Sequence, residues 1–146
     1  MATSKIADYK KGHGLCVAIF NVAFGQAKPN QLDIEGKFRV GADIDMVNFT
    51  KSISSLDMTY EYHGNKKGAE IVDIMKDIRR RVNKDQDLYN SLIVLISSHG
   101  KENTILGIDN EEVDFKECIV KPLHNARCEG LKGKPKLFIV TACRAT

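Results

Sequence analysis

Leu92-Ile93-Val94-Leu95-Ile96-Ser97-Ser98-His99-Gly100 reads as a buried strand followed by an imidazole. A second run, Leu137-Phe138-Ile139-Val140-Thr141-Ala142-Cys143-Arg144, reads as a strand followed by a thiol. Each run is rich in β-branched residues, long enough for one strand and far too short to span a membrane. His99 and Cys143, 44 residues apart, each stand just past the end of their strand. A thiol needs a base or a cationic neighbour to become a thiolate at neutral pH, and an imidazole is the usual one. Two parallel strands ending side by side would bring the pair to one sheet edge. The serines before His99 and Gly100 after it suit a tight polar turn, where a missing side chain lets backbone approach a substrate.

Outward from these runs, the chain supplies the other elements of a sheet. Residues 1–13 are polar and aperiodic and read as a short leader, which leaves 14–146 as one domain. Leu15–Val22 is an apolar run and a buried strand. Residues 25–41, with Pro29, Asn30 and three glycines, form a long loop of the kind that usually carries function. Met46, Phe49, Ile53 and Leu56 recur at helical steps, with Asp43 and Asp45 at the favourable end of the dipole. Met58–Tyr62 is a strand broken by His63-Gly64-Asn65. Ile71, Ile74, Ile78 and Val82 mark a second helix. Asp109-Asn110 suits a hairpin turn between Ile105 and Val113. Phe115–Leu123 is a third helix, and Lys136–Thr141 the last strand. Strand and helix alternate, so the fold class is α/β, a mostly parallel sheet flanked by helices on both faces. Ligands in such sheets bind beyond the carboxyl ends of the strands, where His99, Cys143 and the loop residue Arg39 gather.

Composition narrows the function. With 42% hydrophobic and 28% charged residues the chain is an ordinary globular domain able to bury a core. A net charge of +3 is too small to indicate nucleic-acid binding. Arg79-Arg80-Arg81 lies among Asp73, Asp77 and Asp85 and reads as a solvated helix face. No leader peptide or membrane segment is visible, so a cytoplasmic address with no membrane partner is expected. Cys16, Cys118, Cys128 and Cys143 form no Cys-x-x-Cys pair and should stay reduced. Cys16 suits burial as a small hydrophobe. No metal and no cofactor is expected.

Ser98-His99-Gly100 followed by Ala142-Cys143-Arg144 resembles the large subunit of the caspases, the Asp-directed cysteine proteases. Their signature is Gln-Ala-Cys-Arg-Gly with a histidine roughly 50 residues upstream. Gly14-Leu15-Cys16-Val17 resembles the family's first strand, Arg39-Val40-Gly41-Ala42-Asp43 its Arg-x-Gly-x-Asp segment, and Lys132 to Phe138 the run before its catalytic strand. The match covers nearly the whole chain in order.

The resemblance implies roles. Cys143 would be the nucleophile and His99 would protonate the leaving amine, with the Gly100 and Cys143 backbone N–H groups as oxyanion hole. The Lys37 carbonyl would orient the histidine, and Arg39 would pair with the substrate's Asp. Thr141 stands where the family has Gln, and Ala145 where it has Gly, which implies a weakened or altered Asp pocket. A small subunit, supplying another arginine and most of the groove, is the implied partner, with protein substrates. A non-catalytic homologue that pairs with a paralogous caspase is the rival reading. A paracaspase or metacaspase relative would need an acidic pocket floor, which Arg39 opposes. The short leader resembles effector rather than initiator members of this apoptotic family.

Overall fold

The computed structural model describes residues 13–22 and 42–144, with side chains for all of these except 42–44 and 142–144. The strands are β1 (Gly14–Phe20), β2 (Met58–Gly64), β3 (Ser91–Lys101), β4 (Thr104–Leu106), β5 (Glu112–Asp114) and β6 (Lys136–Arg144). The helices are α1 (Ala42–Ser54) and α2 (Gly68–Lys84), and Phe115–Val120 adds a wide π-type turn.

β1 is an inner strand of the sheet, and every one of its residues is buried. It pairs in parallel with β2, from Gly14↔Met58 to Phe20↔Gly64, and with β3, from Gly14↔Ser91 to Phe20↔Ser97. β6 runs parallel along the other edge of β3, from Leu92↔Lys136 to Gly100↔Arg144. β3 outruns β1, and its freed edge is taken by antiparallel β4 at Gly100↔Ile105 and Lys101↔Thr104, with β5 beyond. The sheet is mixed and largely parallel, the fold class expected from the sequence.

Strand alternation divides the core between the two faces. Leu15, Val17 and Ile19 with Leu92, Val94 and Ile96 pack against Ile71, Met75, Ile78 and Val82 of α2. Ala18, Phe20 and Leu95 meet Met46, Phe49, Tyr60 and Ile139 on the α1 side. Four α2 side chains are fully buried, each contributing about 1.5–3 kcal/mol. α1 buries only Ile53 among its described side chains, so it is the more weakly held helix.

Several boundaries differ from the sequence reading. Met75 fills the α2 stripe that Ile74 was expected to share, and Ile74 is half-buried. Leu56 falls beyond the end of α1 and is 52% exposed. β2 runs through His63 and Gly64, and the break comes at Asn65, whose φ of 53° ends the extended chain. The expected 115–123 helix is the π-type turn followed by a 3₁₀ turn at Lys121–Leu123 that contains Pro122. The Asp109-Asn110 turn is a five-residue loop in which Asn110 has φ 64°. Asp109 there accepts the Gly68 N–H at 3.1 Å and caps α2. The loop lies so close to α2 that a Cβ on Gly107 would stand 2.0 Å from the Gly68 nitrogen. The loop expected over 25–41 lies outside the described residues.

Candidate active site

β3 and β6 are neighbours, and their register sets Ser97 against Thr141, Ser98 against Ala142, His99 against Cys143 and Gly100 against Arg144. The two chemistry-bearing positions, 44 residues apart in sequence, are direct cross-strand partners at the carboxyl end of the sheet. Neither stands past its strand as the sequence suggested. β3 continues to Lys101 and β6 to Arg144, because β4 and β6 give the end of β3 ladder partners on both edges. Gly100 is therefore strand, and the tight turn comes at Glu102-Asn103, with Asn103 at φ 59°.

His99 is half-buried, above the buried Ser97 and Ser98. Beneath it lies a polar knot that sequence reasoning missed. Asn21, fully buried at the end of β1, accepts the Lys66 N–H at 2.7 Å. Its amide nitrogen lies 3.1 Å from the Lys66 carbonyl, 3.2 Å from that of Leu106 and 3.3 Å from Ser98 Oγ. Ser98 Oγ donates to the Leu106 carbonyl at 2.6 Å, and the Asn21 N–H donates to the Ser97 carbonyl at 2.8 Å. Buried polar groups satisfied this fully make a rigid seat. It fixes β1, the start of α2, β3 and β4 one residue below His99. The visible signal was an amide closing an otherwise apolar run.

Two of the other cysteines are held protonated by burial. Burial pushes the Cys16 thiol up to about 11. Burial also raises Cys128, which donates to Asn83 Oδ1 at 3.6 Å. Cys118 is half-buried. Thr141 is exposed on β6, opposite Ser97. Lys37 and Arg39 lie outside the described residues, as does the Cys143 side chain. No group of three or more metal-ligating side chains comes together among the described residues. No helix among them is long and apolar enough to cross a membrane.

Residues 13–146 match the family profile described as the caspase domain of peptidase family C14. The chain belongs to the caspase family. It is 31% identical to caspase-3 of Felis catus over 146 residues, covering 100% of this chain and 48% of that protein. Caspase-3 of Mesocricetus auratus is 30% identical over 133 residues, 91% of this chain and 44% of the relative. Caspase-8 of Mus musculus is 26% identical over 137 residues, covering 93% and 28%. This caspase-family chain thus spans less than half the length of these curated relatives.

Proposed function

We propose that this chain is the large-subunit part of a caspase-type cysteine endopeptidase that cuts after Asp in apoptosis, active in the cytoplasm when joined by a small subunit. The observation that supports it most is the His99↔Cys143 register at the carboxyl edge of the sheet. In this reading the Cys143 thiolate attacks the scissile carbonyl, and a C–S bond forms as charge moves to the carbonyl oxygen. The Gly100 and Cys143 N–H groups receive that oxyanion; losing one such donor costs about 3–4 kcal/mol in other proteases. His99 delivers its proton to the departing amine as the C–N bond breaks. Water, deprotonated by His99, then hydrolyses the thioester and returns the thiol. Arg39 pairs with the Asp side chain through two parallel hydrogen bonds, and the Lys37 carbonyl orients the imidazole.

A small subunit suits the free edge of β6, which pairs only with β3 among the described residues and exposes Leu137 and Val140. Such an edge is a template for another strand.

A second reading, a regulator that pairs with an active caspase without cutting, is favoured by Thr141. Its exposed hydroxyl offers one donor where the family carries an amide.

Reconstitution with a caspase small subunit tests both. Hydrolysis of an Asp-containing peptide, lost in Cys143→Ala, is expected. No turnover, together with altered activity of a partner caspase, would select the regulator. Neither turnover nor any effect on a caspase would overturn the whole reading.

A further inference from the structure

The Arg79-Arg80-Arg81 run does not share one solvated face. Arg81 turns toward β2 and holds Glu61 through two nitrogens, at 2.5 and 3.0 Å. Arg80 pairs with Asp77. Arg79 donates from Nε to the Arg127 carbonyl at 2.8 Å, which bolts α2 to the 121–128 turn. Between the helix and that turn lies an open cleft of about 380 Å³, lined by Lys76, Arg79, Arg80, Asn83, Pro122 and Arg127.

We propose that this cleft binds a compact anion carrying two or more phosphate groups. Four of its six lining residues are cations and none is a carboxylate. Lys76 and the Arg127 side chain have no ion-pair partner among the described residues. On α2, Asp77 balances Arg80, but Lys76 and Arg79 stand at three-residue spacing, a like-charge arrangement that weakens a helix unless an anion sits between. Compensation of the helix dipole accounts for Arg81 and Lys84 in the last turn, but for neither Lys76 nor Arg127, which is off the helix.

The cleft is prebuilt. Asn83 Oδ1 accepts the Gly130 N–H at 2.8 Å, so its amide NH₂ is left for a ligand. A Cβ on Gly130 would lie 1.9 Å from the Val82 carbonyl oxygen, which shows how closely the far wall is pressed onto α2. With its Nε engaged, Arg79 presents its two terminal nitrogens in a fixed fork suited to phosphate oxygens. The volume is near the lower bound for a small-molecule site. No aromatic residue lines it to stack a base, and the cations are confined to one concavity and form no track for a nucleic-acid backbone. The site lies at the carboxyl end of α2, hence by the amino ends of the strands, opposite the edge that carries His99.

Calorimetric titration of the full chain with inorganic tripolyphosphate tests the proposal. Saturable binding is expected, weakened about tenfold or more in Arg79→Gln/Arg127→Gln, since charge-assisted forks are the strong contacts. The control Lys51→Gln/Lys101→Gln removes the same charge from exposed lysines elsewhere and should stay within about twofold. Flotation with vesicles containing a phosphorylated inositol lipid separates the sources. Lipid binding competed by tripolyphosphate identifies a headgroup, and tripolyphosphate binding alone identifies a free anion. Equal loss in both double variants, no binding of either probe, or tighter binding of an RNA oligonucleotide with no effect of Arg79→Gln/Arg127→Gln would each overturn it.

Discussion

Asn21 and Ser98, 77 residues apart, meet beneath the candidate active site, the Asn21 amide nitrogen 3.3 Å from Ser98 Oγ. The contact ties the end of β1 to the residue that precedes His99.

Asn21→Leu keeps the shape and removes the polar atoms. The Lys66 N–H then loses its partner, at about 1–3 kcal/mol for an unsatisfied buried group, while the Lys66 carbonyl keeps the Ile108 N–H. Urea denaturation should show a loss of about 2–3 kcal/mol, and Ser98→Ala about 1 kcal/mol. A loss under about 0.5 kcal/mol for Asn21→Leu would mean that water replaces the amide and the seat is not rigid.

Thiol chemistry gives a second expectation. Near neutral pH iodoacetamide should label Cys143 before Cys16 and Cys128, whose thiols burial holds protonated. Mass-spectrometric mapping decides the order. Because His99 faces Cys143 in register, His99→Ala should slow labelling at Cys143 alone. Equal rates at Cys143 and Cys16 in the folded protein would remove the nucleophile assignment.

The raised Cys16 thiol also sets a pH dependence. A folded-state value of about 11 against the usual 9.0 means that the native state holds this proton more tightly than the unfolded chain. Its contribution is complete below pH 9.0 and lost as pH rises through about 11. Cys16→Ala should therefore lose less stability than the parent over that window. Parallel loss in the two proteins would show that other groups govern the alkaline limb.

Thr141→Gln with Ala145→Gly should raise kcat/KM on Asp-containing peptides in protein reconstituted with a small subunit. The longer amide would add a donor to the substrate carboxylate, where an unpaired buried charge costs several kcal/mol. An unchanged or lower kcat/KM would show a pocket suited to another side chain.

The two helices should open at different free energies. α1 has one buried described side chain, Ile53, where α2 has four, so amide exchange in Val47–Ser54 should outrun that in Met75–Val82. Slower exchange in α1 would contradict this packing argument.

β1 and β3 were legible because a strand buried on both faces must be a continuous apolar run, as Leu15–Phe20 and Leu92–Ile96 nearly are, and β6 was legible as an apolar run although it exposes Leu137 and Val140. Their ends were not. Ser97 to Lys101 is polar and reads locally as a turn, yet it stays extended because ladder partners arrive from β4 and β6, which no local window contains. The face-to-face placement of His99 and Cys143 has the same origin. Position along the chain suggested a shared edge, but adjacency is a property of the sheet. The arginine run was legible only in part: residues 79, 80 and 81 are about 100° apart around a helix, so Arg80 and Arg81 share the neighbouring Asp77, while Arg79 reaches the Arg127 carbonyl and Arg81 also reaches Glu61 on β2.

Every parallel pairing in this sheet joins distant segments, and the β3–β6 partners are offset by 44 positions. During synthesis the edge of β3 awaiting β6 therefore stays open while another 44 residues emerge, with Leu92, Val94 and Ile96 already committed to the α2 face. Pairings this distant form slowly, because loop closure must precede any contact. The imidazole thus spends that interval without the thiol position beside it, and the His99–Cys143 pairing is assembled by the same docking event that covers the edge. Chains stalled on the ribosome before Lys136 should consequently engage a chaperone that binds exposed strands, and release it once β6 has docked.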